Sequence, residues 1–302
     1  MKLVLVGALA LIFFAAGFAL LKLTPPAKLP RVTKAVADVP AAPTMHPSVP
    51  PLNAAAVVEE NANESLPDSP DRVADARRRF SQTIRAAFAA ATVAYPPRAI
   101  FLRGFKHERQ LELWARPAVA GANSHARAPY RLVRTIPILR ASGRLGPKRR
   151  EGDWQVPEGF YTVAQFNPRS NFYLSLGLDY PNVSDRLLTT DAAHPGSEIF
   201  LHGGAASVGC LALGDRAAAQ LYLVALDTRE QSGQRTMIPV HLFPCRLDAA
   251  NWENVLTPLA AAQPALLAFW RGLQPGYDAF EREKIPPSIK VQPDGAYALD
   301  SR

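Results

Sequence analysis

The sequence predicts a mostly β domain, a sandwich or barrel, with helical additions at both ends. Two observations predict it. From residue 96 the chain carries a series of short β-rich runs bounded by Gly, Pro and Asn. Before and after that series lie stretches with helical spacing, and no internal repeat is visible. At 302 residues the expected organisation is one main domain plus extensions. Its boundaries are an apolar leader over 1–22, a Pro/Ala-rich linker over 23–68 and an amphipathic helix over 69–95. The main domain follows over 96–246, and a helical extension over 247–302.

The leader is "LVLVGALALIFFAAGFALL", Leu3 to Leu21, uncharged throughout. A run of roughly 20 apolar residues is long enough to span a bilayer, longer than the core of a secretory signal. It reads as a retained signal anchor, with a cleaved signal peptide as the alternative. Both readings send the remainder out of the cytoplasm. Lys2 is a weak inside anchor, and Lys22, Lys28, Arg31 and Lys34 oppose that orientation. Proline density over "TPPAKLPRVTKAVADVPAAPTMHPSVPPL" favours extended, semi-rigid chain, a tether lifting a domain off the membrane. The net charge of +8 favours anionic surroundings. No RNA-binding aromatic motif, zinc finger or DNA-reading helix is visible, so nucleic acid is not an expected partner.

Ser69 is the expected N-cap of the first helix, with Pro70 in its first turn. Val73, Phe80, Ile84 and Phe88 share a face, and Asp75, Arg77 and Arg78 lie elsewhere. "RAIFLRGFKHERQLELWAR" reads as a hairpin, and "YRLVRTIPILRASG" as a strand ending at a glycine turn. "EGFYTVAQFN", "NFYLSLGLDYP", "SEIFLHG" and "MIPVHLFPC" continue the strands. Asp215 is expected to cap a helix over "DRAAAQLYLVALDTREQ", and "PPSIKVQPDGAYALD" to close the chain as a hairpin.

The chemistry concentrates in "IFLHGGAASVGCLALGD", Ile199 to Asp215. A thiolate is a strong nucleophile that needs a base or a positive field to form near neutral pH. His202 ends one strand, "GGAA" is a tight loop, and Cys210 returns behind it. Gly209 leaves room for a carbonyl, and backbone N–H groups at Gly209 and Cys210 suit an oxyanion. The helix start at Asp215 would place a positive dipole end near the thiol. Alternatives stay open on residues alone: a buried inert cysteine, a Cys210–Cys245 disulfide, or zinc held among Cys210, Cys245, His194, His202 and His241. None of the last set shows metal-site spacing.

The motif "HGG-x-x-S-x-G-C" and the block "SGRLGPKRREGDWQVPEGFYTVAQFNPRSNFYLSLGLDYPNVSDR" resemble the YkuD-type L,D-transpeptidase catalytic domain, most narrowly its YafK-like branch in Gram-negative bacteria. The resemblance runs from about Arg98 through Cys245 and on through "GLQPGYDAFEREKIPP". It implies a YkuD-like β-sandwich or barrel with a cleft; separately, no cofactor or metal is expected. It implies Cys210 as nucleophile, forming a thioester with a peptidoglycan stem peptide, and His202 as general base oriented by the backbone carbonyl of Gly203. Ser207 and Gly209 match the surroundings of the nucleophile, Gly209 as a backbone oxyanion donor and Ser207 as support. The broader family carries His where this chain has Val208 and Arg where it has Ala212. The YafK-like branch shares both departures. There the resemblance implies an amidase cutting between diaminopimelate and an attached lipoprotein lysine. Transpeptidation and a non-catalytic wall-binding module are the alternatives.

Lys148, Arg149 and Arg150, with Arg140 and Arg144, form the densest basic stretch. A solvated hairpin tip is one reading, and capture of peptidoglycan carboxylates by Lys148 and Arg149 the other. Arg186 in "YPNVSDR" and Trp154 beside Asp153 are further candidate substrate contacts. The resulting expectation is a periplasmic enzyme on peptidoglycan stem peptides, held at the inner membrane by its N-terminal helix.

Overall fold

The computed structural model describes residues 65–118 and 128–300. The expected signal anchor, and the linker as far as residue 64, lie outside these residues. Among the described residues no helix is long and apolar enough to cross a membrane.

Nine strands form one sheet in the order β3-β2-β1-β9-β5-β6-β7-β8-β4. They are β1 Ile100–Phe105, β2 Gln110–Ala115, β3 Arg131–Pro137, β4 Arg140–Ala141, β5 Gly159–Ser170, β6 Tyr173–Leu178, β7 Phe200–His202, β8 Leu211–Ala212 and β9 Pro239–Phe243. Two pairs, β1 with β9 and β7 with β8, are parallel, and the rest are antiparallel. The outermost strands, β3 and β4, are consecutive in the chain. Between them the Ile138 N–H donates to Arg109 O at the β2 side, and the Leu139 N–H donates to Ala212 O at the β8 side. One stretch of chain thus pairs with both edges, and the sheet curls into a half-barrel, consistent with a mostly β fold.

The apolar runs of the central strands are continuous because both faces are covered. In β1, Ile100 and Leu102 enter a core shared with α1 (Arg72–Ala90) and α3 (Asp215–Ser232). Phe101, Arg103 and Phe105 point the other way, toward Tyr277 and Phe280 of α6 (Pro264–Glu283). Val240 and Leu242 of β9 join the first core, and Phe243 the second. This alternation is the period-two side-chain rule applied to a sheet with two cores. Between β9 and α6 run α4 (Ala249–Asn251), a π-helical turn (Trp252–Leu256) and α5 (Thr257–Ala260). The closing hairpin pairs β10 (Ile289–Val291) with β11 (Tyr297–Leu299).

Three local expectations are corrected. The first helix is capped by Asp71, not Ser69: its carboxylate accepts the Ala74 N–H at 2.9 Å. Asp75 is buried on the helix's inner side, where it pairs with Arg78 and Arg79. Asp215 is the first residue inside α3, whose N-cap is Gly214. Its carboxylate reaches back to the loop before it, where it accepts the Gly204 N–H.

The segment "YPNVSDR" builds α2 (Val183–Leu188) with a full capping box: Asn182 accepts from the Asp185 N–H, and Asp185 accepts from the Asn182 N–H. Burial pushes the Asp185 carboxyl up to about 6, although the Asn182 N–H and the Tyr161 hydroxyl both donate to it. A folded value above the unfolded one means that Asp185 contributes stability below the ordinary carboxylate range, lost as pH rises through about 6. Thermal melts of wild type and Asp185→Asn should therefore diverge between pH 4 and pH 8. The wild type should lose about 2–3 kcal/mol relative to the variant over that window. Parallel pH profiles would remove this account of Asp185.

Candidate active site

His202 ends β7, and the parallel pairing sets Leu201 against Leu211 and His202 against Ala212. Cys210, one residue before β8, is therefore level with Phe200, two residues back along β7 from His202. With strands about 4.8 Å apart and a rise of about 3.3 Å per residue, this diagonal spans roughly 8 Å between Cα atoms. The Gly203–Gly209 loop makes this return.

His202 is buried, and its Nδ1–H donates to the carbonyl of Gly203 at 2.6 Å. That bond assigns the tautomer and leaves Nε2 as the acceptor. The Phe172 ring lies over the imidazole with centroids 4.6 Å apart. Burial lowers the His202 pKa, opposed by the Gly203 hydrogen bond and the Asp215 charge. The Cys210 Sγ accepts the Phe200 N–H at 3.4 Å and lies 3.5 Å from Glu198 O. Burial raises its pKa, and Glu198 adds to the rise, while the Phe200 N–H and the Lys148 charge oppose it. Both shifts favour neutral thiol and neutral imidazole at rest. Among the described residues no hydrogen bond joins Sγ to the His202 ring; the thiol is turned toward Glu198.

Gly209 has a φ of +103°, the left-handed region that glycine tolerates. An added Cβ would meet only ordinary contacts there, so backbone conformation rather than space requires the glycine. Its expected oxyanion role needs correction, because its N–H is spent on Ser142 Oγ at 2.6 Å. The N–H of Cys210 itself has no hydrogen-bond partner among the described residues. Ser207 donates to Cys210 O at 2.6 Å, and its hydroxyl lies 3.3 Å from that of Ser142. Ser142, after β4, thus braces the loop that carries Cys210. It was missed in the sequence because its role depends on β4 pairing with β8, a contact 65 residues away for Ser207.

The basic stretch is solvated only in part: Arg140, Arg144 and Arg150 are exposed, whereas Arg149 is half-buried and Lys148 is enclosed. Lys148 is buried, its ammonium 2.6 Å from Asp153 and 2.8 Å from Arg150 O. It is a loop brace that lowers the Cys210 pKa from a distance, not an open carboxylate ligand. Arg149 places its guanidinium over the Phe269 ring of α6 at 4.7 Å. Lys148 is thus enclosed, whereas the Arg149 Nη1 is buried with no hydrogen-bond partner among the described residues. Arg186 is exposed in the last turn of α2. Trp154 is 64% exposed with a φ of +55°, on a turn pinned by four donors to Asp153. Its neighbour Gln155 approaches Gly209, next to Val208, which is 72% exposed. Ala212 is fully buried. Cys210 and Cys245 are free thiols, and among the described residues no group of His, Cys, Asp and Glu has metal-site geometry.

Residues 126–238 match the YkuD family, the L,D-transpeptidase catalytic domain. The chain is 30% identical over 202 residues to YafK of Escherichia coli strain K12, whose L,D-transpeptidase name is itself provisional. That alignment covers 66% of this chain and 73% of the relative. The chain belongs to the YkuD L,D-transpeptidase family, in its YafK-like branch. This L,D-transpeptidase-family domain is thereby placed among enzymes of peptidoglycan. Looser structural likenesses join it to the helical cell shape determining protein Pgp2 from Campylobacter jejuni, with a TM-score of 0.37, 17% identity, and 64% of this chain and 73% of that one covered. Another is Bd1075 of Bdellovibrio bacteriovorus, at 0.33, 15%, 63% and 66%.

Proposed function

We propose that this chain is a periplasmic cysteine amidase acting on peptidoglycan stem peptides, hydrolysing the bond between diaminopimelate and a lipoprotein lysine. The observation that carries the reading is the His202 tautomer: Gly203 O takes Nδ1–H, leaving Nε2 to accept the proton of Cys210. The sequence-based leader Leu3–Leu21 supports export and retention at the inner membrane.

In this reading the thiol turns from Glu198 toward His202, whose Nε2 takes its proton as sulfur attacks the amide carbonyl carbon. The new oxyanion lies against the Cys210 N–H. The intermediate collapses by breaking the C–N bond, and His202 returns the proton to the departing lysine amine. Water, deprotonated by His202, then opens the thioester to a free carboxylate and restores the thiol.

Hydrolysis is favoured over cross-linking by what stands beside the pair. The place of the family's arginine is Ala212, buried and in register with His202, so no cation is there to hold a substrate carboxylate. The place of the family's histidine is the exposed Val208. Incubation with murein sacculi carrying bound lipoprotein, followed by mass spectrometry, tests the reading. Released lipoprotein supports it; new diaminopimelate cross-links would replace it with transpeptidation.

Trp154 is held in a costly backbone conformation with its ring in solvent, as expected of a residue kept for contact. Trp154→Ala should leave the melting temperature unchanged and raise KM. An aromatic contact of about 1 kcal/mol corresponds to about a fivefold rise. An unchanged KM would show that the indole touches no substrate.

A further inference from the structure

We infer that Asp215 is a positioning residue for His202, holding the Gly203–Gly204 turn with one carboxylate oxygen and the chain before α1 with the other. This rests on the reading of His202 as the base. The Asp215 Oδ1 accepts the Gly204 N–H at 2.7 Å, and Oδ2 accepts the Leu66 N–H at 2.8 Å. Its carboxylate packs where a Gly203 side chain would be: an added Cβ would lie 2.3 Å from Oδ1. Gly203 is the residue whose carbonyl sets the His202 tautomer, so Asp215 fixes the orienting group from behind.

The second arm reaches the end of the tether. Leu66 lies just before α1, and Arg72 at the start of α1 donates to Ser170 O and Tyr173 O across the β5–β6 turn. That turn carries Phe172, which covers His202 and accepts the Gly203 N–H at 2.9 Å. Leu66, Arg72, Phe172, Gly204 and Asp215 line one cleft. Leu66 and Asp215 are 149 positions apart, so the contact ties the incoming linker directly to the histidine's support.

The charged and titratable groups around Asp215 are Asp68, Arg72, Asp75, Arg79, the neutral Tyr173 phenol and Arg216. Arg72 is paired with Asp68 and Arg79 with Asp75, while the Arg216 guanidinium lies over Phe80. The Asp215 charge is the one that acts on the imidazole, favouring its protonated form. During turnover that form appears twice, each time His202 holds a proton.

Two readouts that need no murein test this. One is the His202 titration by NMR; the other is alkylation of Cys210 by iodoacetamide across pH. Asp215→Asn should move the His202 midpoint to lower pH and slow alkylation about tenfold near neutrality. Asp215→Ser, shorter and still an acceptor, answers the same question if the amide folds poorly. Leu66→Pro removes the N–H but keeps the charge. It should slow alkylation a few-fold without lowering the midpoint. An unmoved midpoint in both Asp215 variants, or an equal fall in Leu66→Pro, overturns the inference. Because neither readout involves substrate, an error in the proposed scissile bond leaves both standing.

Discussion

Cys210→Ala is expected to abolish release of bound lipoprotein from sacculi, by at least about 10⁴-fold, while the protein melts within a degree or two of wild type. The asymmetry follows from how the thiol is held. It takes one long hydrogen bond from the Phe200 N–H and faces Glu198 O, so its removal leaves little unsatisfied. The loop around it is fixed by groups that alanine keeps: Ser207 on the Cys210 carbonyl, and Ser142 on the Gly209 N–H. Circular dichroism on the same preparation separates a dead enzyme from an unfolded one. Residual release in Cys210→Ala equal to wild type would end the thioester mechanism.

The same thiol should show an unusual pH response. Burial raises Cys210 and lowers His202, so the pair rests neutral rather than as thiolate and imidazolium. The linkage signs follow. A raised thiol contributes stability at lower pH that is lost as pH climbs through its folded value. A lowered imidazole contributes stability above the ordinary histidine range, lost as pH falls through its folded value. The site is thus most comfortable near neutrality. Iodoacetamide should label Cys210 slowly at pH 7 and faster above the ordinary thiol range. Rapid labelling at pH 5–6 would instead indicate a resting ion pair.

Much of this site is legible in the sequence because its chemistry is local. His202, Gly203, Ser207, Gly209 and Cys210 lie within nine residues, and the spacing implies a strand and a return that bring a cysteine back toward a histidine; the nucleophile role is what the family resemblance adds. The strands are legible too, since Gly, Pro and Asn punctuate them. What is hidden depends on distant chain. Lys148 reads as a solvated cation until Asp153 and the Arg150 carbonyl are seen to enclose its ammonium. Gly209 reads as an oxyanion donor until β4 brings Ser142 to its N–H. Asp215 reads as a helix cap, yet its carboxylate serves the preceding loop because Gly203 has no side chain in the way. Asp75 reads as lying off the apolar face of its helix, yet it is buried, and Arg78 and Arg79 make that burial tolerable.

Gly203→Ala is the second large effect expected, and it acts on fold and chemistry together. The new methyl would lie 2.3 Å from Asp215 Oδ1, 2.7 Å from Phe172 O and 3.1 Å from Tyr173 Cβ. None of these is the far end of a flexible side chain. Asp215 is tied by two backbone donors, and Phe172 O accepts the Gly203 N–H itself. Relief therefore requires the turn to move, which displaces the carbonyl that orients His202. Overpacking of this kind costs about 1–3 kcal/mol, or a fall of several degrees in melting temperature. Activity should drop further than stability explains, about a hundredfold or more at a temperature where the variant remains folded. Gly272→Ala is the control. It replaces a glycine inside α6 with nothing within 4 Å of the added methyl, so it should be neutral or slightly stabilising. If Gly203→Ala behaved like Gly272→Ala in both melting and turnover, the turn would be free to yield. The orientation of His202 by Gly203 would then carry no catalytic weight.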